Sequence, residues 1–220
     1  MRNWATRAVG ELAHRRDEIN ALNVFPVPDS DTGSNMAHTM EAAVAELDNG
    51  GDVADSLALG AVRGARGNSG MVLSQVLRGV AESTVDSVID GDVFARSLQQ
   101  AVELVDRAIA EPVEGTVITV LKAAAEAADD AEAQSGATLH SIVSAAIAAA
   151  EKALERTPSQ LPALREAGVV DAGGAGLVIL LESLLAEIEG STGHTGLPEA
   201  EPTTELEVVF FFAGDLDALQ

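Results

Sequence analysis

The chain contains no cysteine and no tyrosine, and aromatic residues make up only 3% of its 220 positions. Without thiols, disulfides, zinc–thiolate sites and cysteine nucleophiles are excluded. Cations are scarce as well: 13 Lys and Arg stand against 35 Asp and Glu, a formal net charge of −22. A nucleic-acid partner needs a basic face to displace counterions. An anionic membrane surface attracts basic segments, not acidic ones. Neither is an expected partner, and a phosphate ligand would have to arrive with metal. No apolar run approaches the roughly 18 residues of a membrane-spanning helix. Met1 to Asn20 is polar and charged, without the apolar stretch of a signal peptide. A cytoplasmic protein is the expectation.

What is abundant is aliphatic. Hydrophobic residues reach 47% of the chain, mostly alanine and leucine. Alanine is the best helix former and small side chains let helices approach closely. The length allows a self-sufficient core in one domain, or one domain with an appendage.

Apolar residues near helical spacing predict an amphipathic helix over residues 3–20, with Trp4, Ala8, Leu12 and Ile19. A proline loop follows, and Ser34 can cap a helix over about 34–47. A third helix starts at Asp52 and ends in the glycine-rich turn Gly64 to Gly70. The fourth runs from Met71 to near Ser83. The fifth starts at Asp92 or a neighbour and is stopped by Glu111 to Gly115. Thr116 can cap a sixth, through the alanine run to about Ala133. The seventh spans Thr138 to Arg156, and Pro158 to Gly168 reads as a short helical turn. A second glycine-rich connection, Val169 to Gly176, feeds an eighth helix through Ile188. Residues 191–204 read as a linker. Leu206 to Phe212 is the one strong strand signal. The expected fold is all-α: an antiparallel up-and-down bundle or barrel of about eight helices, with a short C-terminal tail containing one β-strand. The expected divisions are a helical domain over 1–190, a linker over 191–204, and over 205–220 the truncated start of a following domain.

Four connections carry residues that a mere turn does not need: the loop with Asp29 and Asp31, Gly64 to Gly70, Glu114-Gly115-Thr116, and Gly168 to Gly176 with Asp171. In an up-and-down bundle alternate connections share an end, and these are four alternate connections. They are expected to gather at one mouth. Asp29 and Asp31 suit a hard cation such as Mg²⁺, with Asn23 as a neutral oxygen donor on the same loop. Gly67, Asn68, Ser69 and Gly70 let backbone N–H groups approach phosphate oxygens at a helix start. Gly115 and Thr116 do the same one helix pair later. Asp171, with Gly173 and Gly174, leaves room for a sugar or base or bonds to it. Together they describe a metal–nucleotide site, whose usual use is phosphoryl transfer.

Each motif also has an ordinary reading alone: a solvated acidic pair, a helix–helix turn, a capping turn and an N-cap. The loop is not an EF-hand, since Gly33, Ser34 and Met40 stand where a ligand, the glycine and the bidentate Glu belong. Gly64 to Gly70 is not a P-loop, because no Gly-Lys-Ser/Thr follows. His14, His38, His140 and His194 read as surface or packing residues. Arg63 and Arg66 face phosphate or balance the acidic surface. Met36 and Met71 read as core or as a wall for a base.

Asn23-Val-Phe-Pro-Val-Pro-Asp-Ser-Asp-Thr-Gly-Ser-Asn-Met36, Gly64-Ala-Arg-Gly-Asn-Ser-Gly70, Glu114-Gly-Thr116 and Gly168-Val-Val-Asp-Ala-Gly-Gly174 resemble the nucleotide-binding domain of the dihydroxyacetone kinase family. Within it, the motifs are most similar to the ATP-binding subunit of bacterial fatty acid kinases. The resemblance covers about residues 1–190. It implies an antiparallel eight-helix barrel with ATP or ADP and two Mg²⁺ ions at one end. It implies Asn23, Asp29 and Asp31 on the metal side, the two aspartates at the reacting phosphate. It puts Thr32, Asn35, Met36, Ser69, Gly70, Thr116 and Asp171 on the nucleotide side. It implies a separate fatty-acid-binding subunit that presents the acyl carboxylate to the γ-phosphate, giving an acyl phosphate for phospholipid synthesis. Dimer-forming parts are implied beyond this domain. Other readings are a kinase of dihydroxyacetone or a similar hydroxy compound, and a non-catalytic nucleotide-binding scaffold. Ser30 and Ser34 depart from the family's usual Gly and Thr. Ser30 places a Cβ where the loop calls for positive φ.

Overall fold

Helices rich in alanine and glycine can lie nearly backbone to backbone, and the computed structural model is assembled that way. It describes residues 1–84 and 88–190. The expected linker and the expected strand Leu206 to Phe212 lie outside the described residues.

The elements are α1 (Arg2–His14), α2 (Arg16–Ala21), α3 (Thr32–Glu46), α4 (Val53–Gly64), α5 (Gly67–Ser83), α6 (Gly91–Ala108), α7 (Val117–Glu132), α8 (Leu139–Gln160), α9 (Pro162–Ala167) and α10 (Ala172–Ile188). From α3 to α8 each helix packs on the next, α1 packs on α3, and α10 packs on both α8 and α1. With α2 continuing α1 and α9 continuing α8, this is a closed ring of eight helical rods. The all-α, antiparallel eight-helix expectation holds for the described residues. Trp4 fastens the closure: its indole N–H donates to the Leu180 carbonyl of α10 at 3.1 Å.

Close approach has particular causes. Gly60 and Gly64 of α4 lie against Ala42 of α3, and Gly79 of α5 lies against Ser97 and Ala101 of α6, with no room for a Cβ. The core divides in two. One half holds Phe94, Leu98, Val120, Leu121, Ile142 and Val143. The other holds Trp4, Leu12, Ile19, Met40, Leu57 and Leu77. Helix α10 serves both, with Leu177, Val178 and Leu181 in the first and Ile179 and Leu180 in the second. A helix apolar around its whole circumference has to be enclosed.

Boundaries differ from the sequence reading in instructive places. The helix expected over 3–20 breaks at Arg15. No glycine or proline marks the break. The guanidinium of Arg15 reaches Glu18 at 3.0 Å and Glu182 of α10 at 3.6 Å, so a tertiary pairing accompanies the bend. Pro158 does not end α8, which continues to Gln160. A proline leaves the carbonyl four residues earlier without its N–H donor. Here that carbonyl belongs to Leu154, and the Thr157 hydroxyl donates to it at 2.7 Å. The glycine-rich stretches Gly67 to Gly70 and Gly173-Gly174 are first turns of helices rather than loops.

Candidate functional site

The first connection is folded around Asn23, which is buried. Its carboxamide oxygen accepts from the Asp31 N–H at 3.2 Å, the Thr32 N–H at 3.0 Å and the Thr32 hydroxyl at 2.6 Å. Its Nδ2 donates to the Val27 carbonyl at 3.0 Å, closing the proline loop. Asn20 does a similar service one turn later, accepting from the Ser34 N–H and donating to its hydroxyl. Two asparagines therefore satisfy the start of α3. Asp31, formally its N-cap, makes no side-chain capping bond. Its carboxylate is left for something else. Asp29 is exposed two residues earlier, and Ser30 between them has φ of 53°.

The other three connections start α5, α7 and α10. Helix α5 begins after Arg66 with no side-chain cap, so the N–H groups of its first turn are offered outward. Gly67 there has φ of 60° and the Asn35 side chain lies against it, tying α3 to α5. Before α7, Thr116 turns its hydroxyl back to the Val113 carbonyl at 2.7 Å and does not cap the helix. Gly115 has φ of 81° and packs directly on Thr157, Gln160 and Leu161. A left-handed conformation in so tight a place admits only glycine.

Asp171 caps α10, accepting from the Gly174 N–H at 2.7 Å, while its own N–H donates to the Thr157 hydroxyl at 3.1 Å. It is buried, with backbone N–H groups of Gly174, Val117 and Gly173 directed at its carboxylate. Two helix N-termini, those of α7 and α10, thus share one carboxylate. Burial pushes its pKa up to about 6, against the downward pull of those three donors.

These four connections meet. A cavity of about 360 Å³ is lined by Phe25, Pro26 and Thr32 from the first and by Asn68 and Ser69 from the second. Ile109 to Glu111, Val113 and Thr116 come from the third, and Asp171, Ala172 and Gly173 from the fourth. Met71, Val72, Val117 and Ile118 complete an apolar side. Of the residues singled out in the sequence, Thr32, Asn68, Ser69, Thr116, Asp171 and Gly173 line it. Asn23 lies beneath the first loop. Asn35, Gly67, Gly70 and Gly115 set helix approach around the cavity. Met36 is buried in the core behind it, its sulfur against Gly176. The lining also includes Phe25 and Pro26, which read in the sequence as a stiff loop, Ala108 to Ala110, which read as the end of the fifth helix, and Glu111, which reads as the start of its stop. Thr157 behind Asp171 carries no signal in the sequence, falling between the helix expected over Thr138 to Arg156 and the turn expected from Pro158.

Residues 26–186 match the DAK2 domain. The chain belongs to the DAK2 domain family. This DAK2 domain is 41% identical over 187 residues to protein YloV of Bacillus subtilis (strain 168). It is 40% identical over 185 residues to an uncharacterized protein of Staphylococcus aureus (strain USA300). The alignments cover 82% and 81% of the chain but 34% of each relative, so the chain spans about a third of the length of these curated relatives. Among solved structures, the DAK2 domain is similar to the dihydroxyacetone kinase from C. freundii in complex with AMP-PNP and Mg²⁺. The TM-score is 0.61 at 20% identity, over 84% of this chain and 33% of that one. The native form of the same kinase gives 0.53. At that identity the likeness is one of fold. No helix among the described residues is long and apolar enough to cross a membrane.

Proposed function

We propose that this DAK2 domain binds Mg·ATP at the mouth of the ring and transfers the γ-phosphoryl group to the carboxylate of a fatty acid presented by a separate lipid-binding subunit. The observation that carries the reading is the cavity, because all four motif-bearing connections contribute to its wall. Its apolar side, with Phe25, Met71, Ile109 and Val117, suits a base. The uncapped start of α5 suits phosphate oxygens.

The residues present fit Mg²⁺. The ion takes one or two carboxylates and fills its remaining positions with phosphate oxygens and water. Asp29 and Asp31 offer two carboxylates, and Asp31 is spared capping duty by Asn20 and Asn23 together. Among the described residues no three His, Asp or Glu side chains form a denser cluster. Asn23 serves the metal side by bracing the loop that carries both aspartates. Mg²⁺, when bound, neutralises charge on the β- and γ-phosphates. The chain itself orients: Asn68 and Ser69 at the phosphate end, Thr32, Thr116, Asp171 and Gly173 around the nucleotide. Catalysis on this reading is positioning and electrostatics. The lipid-binding subunit, a homodimer formed by regions outside this chain and a cytoplasmic location belong to the same reading.

The test is calorimetry with Mg·AMP-PNP. Asp31→Ala is expected to weaken binding by about 100-fold or more while circular dichroism keeps its helical signal. Unchanged affinity rejects the site. A second reading, phosphorylation of dihydroxyacetone or a similar hydroxy compound, has the fold of the C. freundii kinase in its favour. ATP turnover with each acceptor, the lipid-binding subunit present, separates the two.

A further inference from the structure

We propose that Arg66 selects a negatively charged acceptor at this mouth, receiving the carboxylate that attacks the γ-phosphate. The inference deepens the fatty-acid kinase reading and rests on it.

It starts from a charge census of the four connections. They carry five acids, Asp29, Asp31, Glu111, Glu114 and Asp171, and one base, Arg66, while α9 just before the fourth adds Glu166 and Arg165. Arg165 is committed: its guanidinium donates to the Pro158 and Ser159 carbonyls at 3.2 and 2.9 Å, locking α9 onto the end of α8. Arg66 is exposed, and its side chain makes no ion pair or hydrogen bond among the described residues. In a chain of net charge −22 carboxylates are plentiful, and Arg7, Arg15, Arg16, Arg63, Arg78, Arg96 and Arg107 all have one. Among the described residues Arg2, Arg156 and Arg165 have no carboxylate partner either, and what sets Arg66 apart from them is its place next to residues that line the cavity.

Its position says which anion it meets. Arg66 precedes α5, two and three residues before Asn68 and Ser69, which line the cavity. Arg66 itself is not part of that lining. It is exposed and adjoins in sequence the residues that line the cavity.

The chemistry requires such a residue. In acyl phosphate formation a carboxylate oxygen attacks the γ-phosphorus, a new P–O bond forms, the bond to the β,γ-bridging oxygen breaks, and ADP leaves. The carboxylate is already ionised, so no proton is removed and no general base is called for. What opposes the step is the approach of one anion to another beside a cavity whose lining already includes Glu111 and Asp171. A guanidinium fork matches a carboxylate with two parallel hydrogen bonds and keeps its charge at any working pH. A neutral hydroxyl acceptor would gain nothing from it.

The experiment uses the full-length protein with its lipid-binding subunit loaded with oleate. It compares wild type with Arg66→Gln, Arg66→Lys and Arg156→Gln, an exposed arginine of α8 that serves as control. Arg66→Gln is expected to lower kcat/KM for the loaded subunit roughly 10- to 100-fold. The Kd of Mg·AMP-PNP by calorimetry stays within about twofold. Arg66→Lys recovers part of the loss, since charge returns without the fork, and Arg156→Gln behaves as wild type. Two results overturn the inference: transfer unchanged in Arg66→Gln, or weakened Mg·AMP-PNP binding with Mg·ADP binding intact, which makes Arg66 a γ-phosphate contact. A wild-type protein that phosphorylates dihydroxyacetone but no acyl acceptor overturns the parent reading, and this inference falls with it. A wild type that does phosphorylate the acyl acceptor, matched by Arg66→Gln, overturns the inference alone.

Discussion

Asp31 stands immediately before α3 and Asp171 immediately before α10, both as N-cap residues; Asp171 lines the cavity, whereas Asp31 lies outside its lining and adjoins Thr32, which lines it. Only Asp171 caps. Its carboxylate takes N–H groups from the starts of two helices and is buried. Asp31 makes no capping bond: Asn20 takes the Ser34 N–H that an N-cap carboxylate accepts, and Asn23, from beneath the loop, takes the Thr32 N–H. One residue type at one formal position has two employments, and the neighbour decides which. The spared carboxylate is the one that the proposed Mg²⁺ site uses, while the employed one holds the wall together.

The comparison breaks most sharply on a pair of alanine substitutions. Asp31→Ala removes no capping bond, so its cost in stability is expected within about 0.5 kcal/mol, while Mg·nucleotide binding is lost. Asp171→Ala removes a cap and leaves buried N–H groups of α7 and α10 without an acceptor. Its expected cost is about 3 kcal/mol. Urea denaturation and calorimetry on both variants give a crossed pattern if the assignment holds. Equal destabilisation of the two would show that Asp31 caps after all.

Titration gives the next largest effect. The Asp171 pKa is raised from 3.8 to about 6. The folded state therefore holds a proton that the unfolded state has already released between those values. Stability from this group is complete below about pH 4, falls as pH rises towards 6 and is flat above. The fall is about 3 kcal/mol. Asp171→Asn keeps a cap oxygen and cannot titrate, so its stability lacks this decline. Denaturant midpoints from pH 4 to 7, wild type against Asp171→Asn, read the difference directly.

Much of this arrangement was legible beforehand. Four loops with odd residues at alternate connections had to share an end, and Phe25, Asn68, Val113 and Asp171 now line one cavity. The helical count followed from spacing and glycine punctuation, because each rod buries one stripe. What spacing could not show was side chains replacing backbone. Pro158 reads as a stop, and only the Thr157 hydroxyl at the Leu154 carbonyl lets α8 continue. Arg15 has no breaker beside it, and its partner Glu182 lies far along the chain. Asn23 reads as a helix terminator or an oxygen donor, since its service to α3 depends on how the proline loop folds back. Met36 sits in the right motif but is buried against Gly176 behind the cavity.

Asn23→Ala sharpens the contrast between the two aspartates. It strips the acceptor from three donors around Thr32. If Asp31 stays idle the cost is about 2 kcal/mol. If Asp31 swings in to cap, the cost is smaller and Mg·nucleotide affinity falls instead, as the carboxylate changes employment. The double variant Asn23→Ala/Asp31→Ala then costs more stability than the two single changes summed, and a double-mutant cycle measures the excess.

The smallest effect belongs to Ser30, the residue between the two carboxylates. Among the described residues it is the one non-glycine with positive φ, at 53°. A left-handed conformation costs an L residue roughly 1–2 kcal/mol relative to its usual regions, and glycine is free of that cost but gains entropy in the unfolded chain. Ser30→Gly is therefore expected to stabilise by at most about 1 kcal/mol, read as a small rise in the urea midpoint. Nucleotide affinity is the informative half of the measurement. With affinity unchanged, Ser30 is only a tolerated departure from a glycine position. With affinity reduced while stability rises, the strained serine is what keeps Asp29 and Asp31 at a fixed separation, and the loop spends stability to hold its cation ligands ready.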